Sequence, residues 1–181
     1  DESVRQTEEY AVRRLRYEIM PGIETYALEL IPATPADGAP GLLAQHGYSG
    51  TPEAVCGFLP NANGPDFVYR SMGIRAALRG YRVIAPLHPT GWVHEKDRFG
   101  GLPDFPQHGD TYGKNRLHRM AVMAGGTLFG LDMMGSSRAL DILASREEVD
   151  ATRLAMYGLS QGGQSALFLP ALDRRVRVSV A

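Results

Sequence analysis

Ser160 has a glycine two residues away on either side, in the run Gly158-Leu159-Ser160-Gln161-Gly162-Gly163. A hydroxyl that attacks a carbonyl needs a turn that presents it, a base to take its proton, and N–H donors for the oxyanion that forms. The glycines Gly158 and Gly162 leave room for a sharp turn between a strand and a helix, and the pattern matches G-x-S-x-G. The N-terminus of the following helix brings backbone N–H groups and positive partial charge, so the N–H of Gln161 is one candidate donor. A second donor must come from a neighbouring strand-to-helix loop. Gln45-His46-Gly47-Tyr48-Ser49-Gly50 closes an earlier apolar run, and the Tyr48 N–H is the candidate there, with His46 and Gly47 supporting it. The plainer alternatives are Ser160 as a helix cap and His46 as a structural histidine in a glycine turn. For His46 the structural role is the preferred reading.

These residues need a scaffold, and the periodicities supply one. Val12 to Met20 and Ile23 to Ile31 read as two strands hinged at Pro21-Gly22. Gly41 to Gln45, Tyr81 to Ala85, Arg153 to Gly158 and Arg175 to Val180 read as four more. Helical spacing is predicted over Asp66 to Arg79, ended by Gly80, and over Gln161 to Leu169, where Pro170 should stop or kink the helix. Leu117 to Ile142 reads as one long helix or a kinked pair, and Met120 to Leu131 within it as a core helix too short to cross a bilayer. Pro89 to Gly113 shows no period and is predicted to be a long surface loop near a site. Strands alternating with helices imply a mainly parallel α/β sheet with its ligand site beyond the carboxyl ends of the strands. No repeat or second domain is seen, so residues 1–181 read as a single, partial domain.

The composition excludes several classes of function. Nineteen basic against 20 acidic residues give a net charge of -1, with no basic field to gather nucleic acid or an anionic membrane. Apolar residues at 44% and charged residues at 22% fit a folded domain. One cysteine, Cys56, excludes an internal disulfide framework and a cysteine-built zinc site, and it reads as a small packed residue. His88, His94, His108 and Asp110 match no helical H-E-x-x-H spacing and read better as loop residues lining a cleft or solvated than as zinc ligands. No dinucleotide or phosphate-loop glycine pattern occurs, so no cofactor and no metal are expected. Arg174, Arg175 and Arg177 read as a solvated strand edge.

The chain resembles the α/β-hydrolase superfamily, and in particular its acetyl xylan esterase and dienelactone-hydrolase-like branches. The resemblance runs through Gln45 to Gly50, Gly80 to Pro86, Leu131-Asp132 with Arg138 to Asp141, and Val149-Asp150 into Gly158 to Gly163. It implies the α/β-hydrolase fold, a mainly parallel sheet with helices on both faces. It also implies Ser160 as nucleophile, Tyr48 and Gln161 as oxyanion donors, and a small-molecule or carbohydrate ester, such as an acetylated sugar, as substrate. An oligopeptidase-like serine peptidase and a non-catalytic module on the same scaffold are the alternatives.

In this superfamily the acid and the histidine follow the nucleophile in the chain. Here the residues after Ser160 include Asp173 and no histidine; His46, His88, His94, His108 and His118 all precede it. Asp173 directly follows the helix after the serine, where this architecture does not put its acid. The chain also begins at Asp1 without an initiator methionine. It is therefore read as the N-terminal portion of a hydrolase, truncated after the sixth strand, with little activity of its own.

Overall fold

The computed structural model describes residues 2–34, 37–48, 50–58, 68–89 and 109–181. Two antiparallel strands, β2 (Tyr10–Met20) and β3 (Ile23–Pro32), form the predicted hairpin, with Gly22 at φ 78° in the turn and its N–H held by Glu18 Oε1 at 2.8 Å. Before them runs β1 (Glu2–Gln6), exposed along its whole length and antiparallel to β2. The sequence reading missed β1 because Glu-Ser-Val-Arg-Gln has no buried face; its backbone pairing with β2, spanned by the Arg14–Glu2 ion pair at 3.4 Å, defines it. The last strand is consequently the seventh of the described residues, not the sixth.

β4 (Ala39–Gln45) and β5 (Arg82–Pro86) are buried almost throughout, as expected of strands covered on both faces. Together with β6 (Val149–Gly158) and β7 (Val176–Val180) they form one sheet of described strands in the order β1-β2-β3-β5-β4-β6-β7. β5, β4, β6 and β7 run parallel, and β3 joins them antiparallel through β5. Alternation splits each central strand between two cores: Leu42 and Val83 pack on one face, Leu43 and Ile84 on the other.

The first face carries two short helices, α1 (Pro52–Cys56) and α2 (Met72–Ala77), with Val55 and Cys56 fully buried. α2 is shorter than the helix predicted over Asp66 to Arg79. Arg70 and Ser71 take left-handed φ values of 50° and 51°, which breaks any continuous helix before Met72, and residues 59–67 lie outside the described residues.

Two longer helices, α3 (Gly109–Met123) and α4 (Leu128–Ala144), answer to the predicted kinked pair. Gly125 at φ 79° separates them and the Thr127 hydroxyl caps α4 by accepting from Gly130 N–H at 2.9 Å. The stretch Met120 to Leu131 is not the core helix predicted: it contains this break, and Met120, Val122 and Met123 are exposed. The buried stripe belongs to α4, where Met133, Ala139, Leu140 and Leu143 face the sheet. Most of the predicted loop from Pro89 to Gly113, including His94 and His108, lies outside the described residues.

α5 (Gln161–Leu172) continues past Pro170, contrary to expectation. A proline within a helix leaves the carbonyl four residues earlier without its donor. Here that carbonyl, on Ala166, accepts the Ser179 hydroxyl from β7 at 2.6 Å, so the helix is not interrupted at the proline. Of the arginines expected at a solvated strand edge, Arg174 and Arg177 are exposed, whereas Arg175 is half-buried and forms ion pairs with Asp173 and Asp141. Deeper in the sheet Glu29, fully buried, pairs with Arg82 at 3.0 Å and Arg146 at 2.8 Å. Among the described residues, no helix is long and apolar enough to cross a membrane.

Candidate active site

β6 ends at Gly158 and α5 begins at Gln161, so Ser160 occupies the turn between them. Its φ of 56° and ψ of −115° lie outside the regions an ordinary side chain favours, and it is exposed. This is the strained strand-to-helix turn that the glycine spacing predicts. A Cβ at Gly158 would fall on the carbonyl oxygen of Gly162, and one at Gly162 would lie 2.6 Å from the His46 carbonyl oxygen. Both glycines are required by close backbone approach. Ser160 is not a helix cap in the usual sense: its hydroxyl makes no capping bond, and among the described residues it has no hydrogen-bond partner.

The loop after β4 lies directly against this turn, because β4 and β6 are parallel neighbours with Gln45 opposite Gly158. A Cβ built on Gly47 would stand 3.1 Å from Ser160 Cβ and 2.9 Å from the Leu159 carbonyl oxygen. Tyr48 follows, with its side chain about half exposed; Ser49 lies outside the described residues. The structure therefore brings Gly47 and Ser160 together, and with them the segments that carry Tyr48 and Gln161.

Beneath the turn is a buried polar layer. His46, 2% exposed, places Nδ1 2.7 Å from the Gly47 carbonyl oxygen and accepts the His88 backbone N–H at Nε2, 3.0 Å away. A carbonyl can only accept and an N–H can only donate, so these contacts fix His46 as the neutral tautomer with its proton on Nδ1. Both of its nitrogens are engaged within this layer. His88 Nε2 faces the His46 carbonyl at 3.1 Å and its Nδ1 lies 3.6 Å from Asp132 Oδ1. His88 lies in the loop after β5, as expected, but is a buried member of the same layer and not a solvated residue. Asp132 Oδ2 accepts the Gln161 side-chain amide at 2.8 Å, and one turn along α4 the Ser136 hydroxyl donates to Gln45 Oε1 at 3.2 Å.

Sequence reasoning did not assign Gln45, Asp132 or Ser136 to the site. The available signal was two polar residues, i and i+4, standing in the apolar stripe of α4 beside Met133, Gly135 and Ala139. Tyr69 was missed as well; its hydroxyl accepts the Gly47 N–H at 2.7 Å, and burial raises its pKa from the ordinary 10.0. Nothing in its sequence neighbourhood marks it.

Of the remaining candidates, His118 is exposed on α3, and His94, His108 and the Asp110 side chain are outside the description. Among the described residues, no group of three or more His, Cys, Asp or Glu side chains is arranged to hold a metal ion. Cys56 is buried, and burial and the Glu53 charge raise its thiol pKa well above the ordinary value, the environment of a packed residue. Asp173 is held by Arg175, which keeps its carboxyl below the ordinary range.

A mainly parallel sheet in this order, with a serine on a strained turn between β6 and α5, defines the α/β-hydrolase fold. Within that fold the chain resembles acetyl xylan esterases and dienelactone-hydrolase-like esterases. Residues 129–181 match the family model described as Acetyl xylan esterase (AXE1). A Bacillus subtilis (strain 168) protein named "Putative hydrolase YtaP" is 34% identical over 74 residues, which are 40% of this chain and 25% of that protein. The crystal structure of a "putative acetyl xylan esterase" from Bacteroides fragilis NCTC 9343 is 20% identical, with a TM-score of 0.77 over 96% of this chain and 45% of that one. A dienelactone hydrolase-like promiscuous phosphotriesterase from metagenomic libraries is 14% identical, with a TM-score of 0.60 over 96% of this chain and 59% of that one. The chain thus spans a quarter of the curated relative and about half of the solved structures.

Proposed function

We propose that this chain carries the nucleophile and oxyanion half of a serine carboxylic-ester hydrolase, with an acylated sugar as substrate class. The observation that carries the proposal is Ser160 on its strained turn with Gly47 packed against its Cβ. In this reading the Ser160 hydroxyl attacks the ester carbonyl, and the N–H groups of Tyr48 and Gln161 stabilise the oxyanion. The tetrahedral intermediate collapses to an acyl-enzyme as the alcohol leaves, and water then releases the acid. The acetyl group and the sugar alcohol are suggested by the similarity to acetyl xylan esterases.

A serine hydroxyl is a weak nucleophile until a base takes its proton. His46 has both nitrogens engaged, His88 has Nε2 on a carbonyl, and His118 stands exposed on α3. None of the described histidines is placed as that base. The isolated 181-residue chain is therefore expected to hydrolyse p-nitrophenyl acetate little faster than buffer does. The complete gene product should turn over this ester and acetylated xylo-oligosaccharides, and Ser160→Ala in that protein should cost about 10³-fold or more. A Ser160→Ala protein that keeps its rate, or a complete product inert to every ester tried, argues instead for the peptidase or the non-catalytic module.

A further inference from the structure

The direction of the Tyr48 N–H is set by the peptide that joins Gly47 to Tyr48, because a trans peptide points its carbonyl and its N–H opposite ways. The Gly47 carbonyl oxygen is held at one end of that peptide by His46 Nδ1 at 2.7 Å and by the Gly50 N–H at 3.0 Å. The preceding peptide is held too. Its N–H, on Gly47, donates to the Tyr69 hydroxyl at 2.7 Å. With both flanking peptides fixed, Gly47 has little freedom left despite lacking a side chain.

The Tyr69 hydroxyl is built into the loop and does not merely touch it. A Cβ on Gly50 would land on that oxygen, and one on Gly47 would come within 3.4 Å of it, so both glycines close on this single atom. The tyrosine is buried, and the next two residues, Arg70 and Ser71, both hold left-handed backbone that non-glycine residues seldom adopt. Tyr69 thus stands immediately before this left-handed pair. Gly47 also meets Ser160 Cβ, 3.1 Å from where its own Cβ would stand. We propose that Tyr69 is a positioning residue for the candidate oxyanion donor: by accepting the Gly47 N–H and packing against Gly47 and Gly50, its hydroxyl aims the Tyr48 N–H.

The inference rests on the esterase reading above, and the test separates the two. In the complete gene product, Tyr69→Phe removes one oxygen and keeps the ring. Rates are referred to the number of Ser160 sites titrated by a fluorophosphonate, so unfolded molecules do not count. The expected result is a fall in kcat on p-nitrophenyl acetate of about tenfold or more with KM changed less than about threefold, since a misaimed oxyanion donor weakens the transition state more than ground-state binding. Gly50→Ala, whose Cβ would land on the hydroxyl and also press on His46 Cβ and the Gly47 carbonyl oxygen, should show the same split. Unchanged kcat per titrated site in both variants, with Ser160→Ala inactive, overturns the role of Tyr69 and leaves the esterase reading intact. Full activity in Ser160→Ala overturns the esterase reading itself.

Discussion

The Gln161 side-chain amide donates to the buried Asp132 carboxylate across 2.8 Å, tying the residue after the candidate nucleophile to the inner face of α4. The same carboxylate faces His88 Nδ1 at 3.6 Å, so one side chain serves the turn after β6 and the layer beneath the loop after β4. Asp132→Ala leaves partners buried around an empty acceptor site. It should cost about 2–3 kcal/mol of unfolding free energy in urea titration. Asp132→Asn, which keeps an acceptor for Gln161, should cost less. Equal costs for the two would mean that the carboxamide contact contributes nothing.

Ser179 and Pro170 should be coupled. The Ser179 hydroxyl supplies the donor that Pro170 withholds from the Ala166 carbonyl. Ser179→Ala should therefore cost about 1 kcal/mol, the net value of one hydrogen bond. In a Pro170→Ala background the helix provides its own N–H, and the same substitution should cost close to nothing. A double-mutant cycle measures the difference, and additive costs would refute the coupling.

Asp173 gives a pH dependence whose sign is fixed. Its hydrogen bond to Arg175 holds the folded-state pKa below the ordinary 3.8. A depressed carboxylate stabilises the fold above its unfolded value, and that contribution disappears as pH falls through the folded value. Unfolding free energy should thus decline on acidification below about pH 4, and Asp173→Asn should flatten this part of the profile. At neutral pH the variant should be less stable by roughly 0.5 kcal/mol, since the pair is partly open to solvent. A profile unchanged by Asp173→Asn would assign the acid sensitivity to another group.

The strands were readable wherever burial leaves a pattern. The β2–β3 hairpin, β4, β5, β6 and β7 follow from their strand-like runs and from Pro21-Gly22, and the Ser160 turn follows from glycine spacing. β1 was not readable because all five of its residues are exposed and leave no alternation to follow. α2 was overextended because local spacing is blind to left-handed backbone at Arg70 and Ser71. The path of α5 past Pro170 depends on a hydroxyl from another strand, a contact that no local window contains. The layer of His46, His88 and Asp132 escaped for the same reason: its members lie far apart in the chain and meet only once the sheet is formed.

Cys56 turns the α1 layer into its own clock. The thiol is fully buried and is the chain's single cysteine, so an alkylating reagent can reach a sulfur only when that layer opens. When reclosing outpaces alkylation, the labelling rate divided by that of an unfolded control gives the population of the open state without any engineered probe. Denaturant dependence then separates local opening from global unfolding. A flat response would show α1 lifting alone, while a slope equal to that of whole-chain unfolding would make the layer part of the cooperative unit.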